Sequence, residues 1–276
     1  MKPLLVVLSL FILLTACATP TPPSQLEGML RPHYKTHVPS GDGPFPAVML
    51  LHSCFGQDDA HGGRWGKMLA RHGYFAIEID SYTPRKLTAY SVCVSHTFAG
   101  MGNRLASDVL VTLAYLKTVS SVDPNKIAAI GFSAGGWSAL DSLALAPPNK
   151  LPSSLTEAPP GGIEGLKAVI AFYPWCTFPA AHRNGWDSKV PVLILLAGED
   201  TVVSAPACIE VAEAQKSKGF PVDYHVYPGA SHWFDGPKDA IAPWRQPGSK
   251  PSHRFDPGFT ADAENRVLRF LEKAFK

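Results

Sequence analysis

From about residue 45 onward the chain alternates apolar runs of strand length with stretches of helical period. Ala47-Val48-Met49-Leu50-Leu51 is apolar at every position, as expected of a parallel strand buried on both faces. Trp65, Met68 and Leu69 then fall on one helical face, and Gly73 supplies a stop. Tyr74–Ile79 reads as the next strand, and Leu105, Val109, Thr112, Leu113 and Leu116 mark an amphipathic helix. Asp123-Pro124-Asn125 is a turn, Ile127–Gly131 a short apolar strand, and Ala134–Leu145 a helix. After a Pro/Gly-rich insert, Pro147–Gly162, the pattern resumes with strands at Ala168–Tyr173, Val190–Ala197 and Val222–Tyr227. Ser204 can cap a helix running to Lys218, and Ala263, Val267, Phe270, Leu271 and Ala274 give a closing helix after a loop-like stretch, Gly236–Phe259. Such alternation predicts an α/β fold, a mostly parallel sheet with helices on both faces, forming a single domain over 26–276.

The N-terminus departs from this pattern. Met1-Lys2 is followed by an apolar run, Pro3–Leu14, shorter than the ~18 residues that span a bilayer. Small residues follow at Ala16-Cys17-Ala18, so residues 1–16 read as an export signal. Leu14-Thr15-Ala16-Cys17 resembles the bacterial lipobox, which implies lipidation of Cys17; ordinary cleavage after Ala18 is the competing reading. The polar, Pro-rich segment Thr19–Ser24 reads as a flexible tether, residues 17–25 joining anchor to domain. The expected location is a bacterial periplasm. Ala18 is not the Asp that commonly signals inner-membrane retention, so the expectation is a lipid-anchored protein at the outer membrane.

Composition adds little: 46% hydrophobic and 17% charged residues suit a 276-residue globular protein with a sizeable core. A net charge of +2 without basic blocks gives no reason to expect a nucleic-acid partner. Neither a ligand-spaced metal cluster nor a phosphate-cradling Gly loop is apparent, so no metal and no cofactor are implied.

The chemistry concentrates in three loops. Gly131-Phe132-Ser133-Ala134-Gly135 is a G-x-S-x-G motif, a sharp strand-to-helix turn that exposes a serine hydroxyl above a sheet. The motif alone is weak; a preceding apolar strand and a following helix are the context it demands, and they point to the α/β-hydrolase fold. Serine needs a base and an orienting acid, which in this fold follow in the order Ser, acid, His. Asp200 ends a strand within Gly198-Glu199-Asp200, and His232 follows the last strand, giving Ser133, Asp200 and His232 as the catalytic triad. Glu199 is the rival acid and would point elsewhere on a tight turn; among the rival bases His225 lies inside a strand, and His52, His61, His96 and His182 precede the acid or sit in other loops. An oxyanion hole would take one N–H from Ala134 and a second from the loop His52-Ser53-Cys54-Phe55-Gly56.

Together with Asp80-Ser81-Tyr82-Thr83-Pro84-Arg85 and Gly229-Ala230-Ser231-His232, these segments resemble the dienelactone hydrolase family from about Pro46 to the last helix. The resemblance implies Cys54 N–H as the second oxyanion donor and Arg85 as the arginine that grips a substrate carboxylate. Two positions depart from the dienelactone-cleaving members, which carry Cys where Ser133 stands and Glu near Ser53. A serine hydrolase of a small-molecule carboxylic ester or lactone is therefore expected. A peptide or thioester hydrolase, or a surface-anchored binding module without turnover, are the alternatives. In the implied topology the loops bearing Cys54 and Cys93 leave one edge of the sheet together, as do those bearing Cys176 and Cys208. Disulfides Cys54–Cys93 and Cys176–Cys208 are expected, against the alternative of four reduced thiols.

Overall fold

The computed structural model describes residues 19–93, 100–148, 150–238 and 253–276. Cys17, the expected lipidation site, and the signal segment lie outside the described residues. In chain order the elements are α1 (Pro23–Leu30), β1 (Lys35–His37), β2 (Phe45–Leu51), α2 (Gly62–Arg71), β3 (Phe75–Ile79), α3 (Ala89–Cys93), α4 (Met101–Leu116), β4 (Val122–Phe132), α5 (Ala134–Ala144), β5 (Leu166–Phe172), β6 (Val192–Ala197), α6 (Ala205–Ser217), β7 (Val222–Tyr227) and α7 (Pro257–Ala274).

Seven strands form one sheet in the order β1-β3-β2-β4-β5-β6-β7. Among the described residues only β1 runs antiparallel, pairing with β3; every other strand pair is parallel. The continuous apolar runs exist because helices cover both faces. Along β2, Met49 and Leu51 join the core under α1, α4, α5 and α6, whereas Val48 and Leu50 join the core under α2 and α7. This is the α/β-hydrolase architecture, and it brings the loops after β2, β4, β6 and β7 to one edge of the sheet.

The departures from expectation are local. Strand β4 begins at Val122, through the expected turn, and Asn125 N–H still donates to Asp123 Oδ1 there at 2.9 Å. Turn chemistry thus persists inside the strand, with the register shifting between Ile127 and Ala128. At the N-terminus the expected flexible tether is corrected. Thr21 bridges to Leu155, its N–H donating to Ser154 O at 2.9 Å, and α1 starts at Pro23. The prolines that suggest a tether instead serve a helix start, where a missing N–H costs nothing.

Candidate active site

Ser133 stands between β4 and α5 with φ +54° and ψ −111°, a left-handed conformation that only dense packing holds. A Cβ on Gly131 would collide with the carbonyl of Gly135, and one on Gly135 with the carbonyl of Leu51, so the turn closes only with glycine at both places. Ser133 N–H donates to Phe172 O of the neighbouring strand at 2.9 Å, and the hydroxyl lines a cavity with Ala134.

Strand β7 delivers His232 to that hydroxyl. His232 Nε2 lies 2.9 Å from Ser133 Oγ, and its Nδ1 lies 2.7 Å from Asp200 Oδ2. The other carboxylate oxygen of Asp200 accepts the N–H groups of Val202 and Val203 at 2.8 and 2.9 Å. All three side chains are withdrawn from solvent, so their mutual orientation is fixed by protein rather than water. The acid and base loops are joined behind the pair: Gly198 N–H donates to Tyr227 O and Glu199 N–H to Ala230 O. Glu199, the rival acid, faces solvent and pairs with Arg254 at 2.6 Å. His225 sits in β7 with its ring against Tyr227, and burial and the Arg266 charge lower its pKa.

Cys54 and Ala134 flank Ser133 in a cavity of about 350 Å³, whose remaining walls are Cys93, Trp175, Thr201, Val202 and Val203. Among the described residues neither the Cys54 N–H nor the Ala134 N–H has a hydrogen-bond acceptor, so both donors are available to an oxygen in the cavity. The Cys54 loop is tied down by His52. Ser81 N–H donates to His52 Nε2 at 3.2 Å, which puts the ring proton on Nδ1, facing Ser53 O at 2.7 Å. Burial lowers the His52 pKa, favouring the neutral tautomer this clamp requires. Cys54 is disulfide-bonded to Cys93 with Cα atoms 5.5 Å apart, and Cys176 to Cys208 at 5.1 Å, the pairing expected from the topology.

Arg85 requires a correction. Its guanidinium binds Asp108 bidentately, at 2.6 and 2.9 Å, and donates to Ser81 O at 2.8 Å. Burial disfavours its charge, but Asp108 outweighs this and holds the pKa up. Arg85 lines a separate cavity beside Thr21, away from Ser133, and has no free fork for a substrate carboxylate.

One buried group escaped sequence reasoning. Asp235, fully enclosed, accepts from Tyr173 OH at 2.5 Å, from Trp65 Nε1 at 2.8 Å, and faces His61 Nε2 at 2.9 Å. Burial works against its ionisation, yet His61, Tyr173 and Arg64 together hold its pKa below the usual carboxylate range. The only signal available was a lone acid in the aromatic stretch Trp233-Phe234-Asp235, three residues past His232. Among the described residues no group of three or more His, Cys, Asp or Glu side chains could hold a metal ion.

The arrangement of a shielded serine, imidazole and carboxylate on this sheet edge is that of a hydrolase fold with a nucleophile turn. The dienelactone hydrolase family model matches residues 35–150 and 155–275, and the chain belongs to that family. A provisionally named carboxymethylenebutenolidase of Methylorubrum extorquens is 27% identical over 215 residues, 74% of this chain and 67% of the relative. Among solved structures, a dienelactone hydrolase-like promiscuous phosphotriesterase from metagenomic libraries superposes with a TM-score of 0.64 at 19% identity, over 88% of this chain and 92% of that one. Esterase 2 of Thermogutta terrifontis, with butyrate bound, gives a TM-score of 0.60 at 18% identity, over 87% and 88%. At these identities the structures speak to the fold.

Proposed function

We propose that the protein hydrolyses a carboxylic ester or lactone through an acyl-enzyme on Ser133. Ser133 Oγ attacks the carbonyl carbon while His232 Nε2 takes its proton, and Asp200 keeps Nδ1 protonated and the ring aligned. The N–H groups of Cys54 and Ala134 hold the developing oxyanion. His232 then protonates the departing alcohol, and a water deprotonated by the same imidazole releases the acid. The observation that carries this reading is the continuous Asp200–His232–Ser133 hydrogen-bond chain ending in a cavity with two unengaged N–H donors.

The acyl group we propose is apolar and uncharged. Among the described residues the cavity walls carry no charged side chain: Trp175, Val202, Val203 and the Cys54–Cys93 bridge are apolar, Thr201 brings a neutral hydroxyl, and Arg85 is occupied by Asp108. The test is labelling by a fluorophosphonate probe together with a panel of neutral and anionic esters, thioesters and amides. Labelling that depends on Ser133, and a loss of turnover of about a thousandfold or more in Ser133→Ala, are expected. Ser133-independent labelling, or faster turnover of amides than esters, would falsify the assignment.

We also propose that the protein is exported and anchored by lipid on Cys17, with the catalytic domain in the periplasm at the outer membrane. The support is the Leu14–Cys17 stretch. Mass spectrometry of the mature N-terminus decides it: a diacylated, acyl-capped Cys17 is expected, and an unmodified chain beginning at Thr19 removes the anchor.

A further inference from the structure

Where the chain enters the domain there is a second cavity, of about 250 Å³, lined by Thr19, Leu26, Met29, Leu87, Arg85 and Arg104 among others. One wall is apolar and one is cationic. The Arg85 charge is cancelled by Asp108, but among the described residues Arg104 has no carboxylate partner although it is half-buried. A guanidinium held against apolar side chains without a counter-ion favours an anion that brings its own apolar part.

The position of this cavity says which amphipathic anion. Thr19 forms part of the wall, and Thr21 is fixed by hydrogen bonds to Ser154 and Thr156. Only Ala18 separates Cys17 from Thr19 in the sequence, two residues that can span at most about 7 Å. Lipid attached there would bring the bilayer's headgroup layer to the cavity mouth. Leu87 also packs on the cluster containing Cys54 and Ala134, which themselves line the Ser133 cavity. The two cavities are separate, and Leu87 connects them through this one cluster.

We propose that this N-terminal cavity binds the headgroup of an anionic phospholipid, with its phosphate on Arg104 and the first carbons of its acyl chains along Leu26, Met29 and Leu87. Binding holds the Ser133 cavity beside the membrane surface, so esters dissolved in or leaving the bilayer are the substrates within reach. The distance to the bilayer rests on the reading of Cys17 as the anchor; the binding chemistry does not.

The test uses the full chain in neutral detergent, titrated with dihexanoyl phosphatidylglycerol, with dihexanoyl phosphatidylcholine and with inorganic phosphate, each followed by native mass spectrometry. Phosphatidylglycerol is expected to bind about tenfold more tightly than phosphatidylcholine, and Arg104→Gln to lose about that factor. Met29→Glu is expected to weaken phosphatidylglycerol binding with Arg104 in place. Both variants should melt near the native temperature and hydrolyse a soluble ester at the native rate. Equal binding of phosphatidylglycerol by native and Arg104→Gln chains overturns the proposal. So does inorganic phosphate competing as well as the lipid, since the site would then be for the anion alone. The mature N-terminal mass separates the two readings: an unlipidated chain with Arg104-dependent phosphatidylglycerol binding keeps the headgroup site and discards the anchor.

Discussion

Tyr173 donates its phenolic hydrogen to Asp235 at 2.5 Å and, in doing so, presents its ring to the imidazole of His232, the ring centroids 4.7 Å apart. Asp235 touches none of Ser133, His232 or Asp200 directly, yet it fixes the surface on which His232 rests. In Asp235→Asn the amide would turn a donor toward donors, leaving His61, Trp65 or Tyr173 unpaired. We expect a loss of about 3–5 kcal/mol in chemical denaturation at neutral pH. Tyr173→Phe keeps the ring and should lose only about 1–2 kcal/mol, with kcat within a few-fold of native.

Acid should act on the same group. The Asp235 pKa is lower folded than unfolded, so its stabilisation is complete above the unfolded value of about 4 and is lost as pH falls through the lower native value. Denaturation midpoints between neutral pH and strong acid check this. The native protein should lose stability below about pH 4, and Asp235→Asn, already weakened, should show a flatter acid limb. Parallel curves for the two proteins would show that Asp235 does not carry the acid sensitivity.

Arg85→Ala strands the fully buried Asp108 carboxylate. The expected outcome is a loss of about 3–5 kcal/mol in stability, with neutral and anionic esters affected alike. The double variant Arg85→Ala/Asp108→Ala should cost less than the sum of the single variants, since neither charge is then left alone. Selective loss of activity on anionic esters would return Arg85 to substrate binding.

The two disulfides should separate in their effects. Each encloses a long stretch, with sequence separations of 39 and 32, so either removal should cost about 3–4 kcal/mol in the chain-entropy account. Cys93→Ser also loosens Cys54, the proposed oxyanion donor, and a wall of the Ser133 cavity. We expect kcat to fall by about tenfold there, less than the ~10²–10³ of deleting a donor outright. Cys208→Ser should lower the melting temperature while leaving kcat near native. The kinetics of the two variants at a temperature where both are folded settle the point.

Gly135→Ala adds a single methyl group, but it meets the carbonyl of Leu51. The nucleophile turn cannot close over it. We expect loss of fluorophosphonate labelling even in any fraction that folds, whereas Gly28→Ala on α1, with open space at its Cβ, should label normally.

The parallel strands were legible because burial on both faces makes each a continuous apolar run, and strand ends then located Ser133, Asp200 and His232. β1 was not: Lys35-Thr36-His37 is a polar edge segment with no periodicity, recruited by β3 rather than by its own composition. α1 was hidden because prolines at a helix start look like those of a linker. Arg85 was misread because its partner, Asp108, belongs to a helix whose approach no local pattern reveals. The Asp235 cluster was missed for the same reason, its donors coming from α2, its preceding loop and the end of β5.

Val202 and Val203 serve the site twice, through different atoms. Their amides hold Asp200 in place, while their side chains face the cavity where the acyl group would lie. Any residue but proline supplies the same amide, so the chemistry is indifferent to what these positions carry beyond the backbone. In the proposed mechanism, selectivity can therefore drift, or be engineered, at this dipeptide without touching the proton path. Libraries at Val202 and Val203 should yield altered chain-length preference among active enzymes rather than a majority of inactive ones.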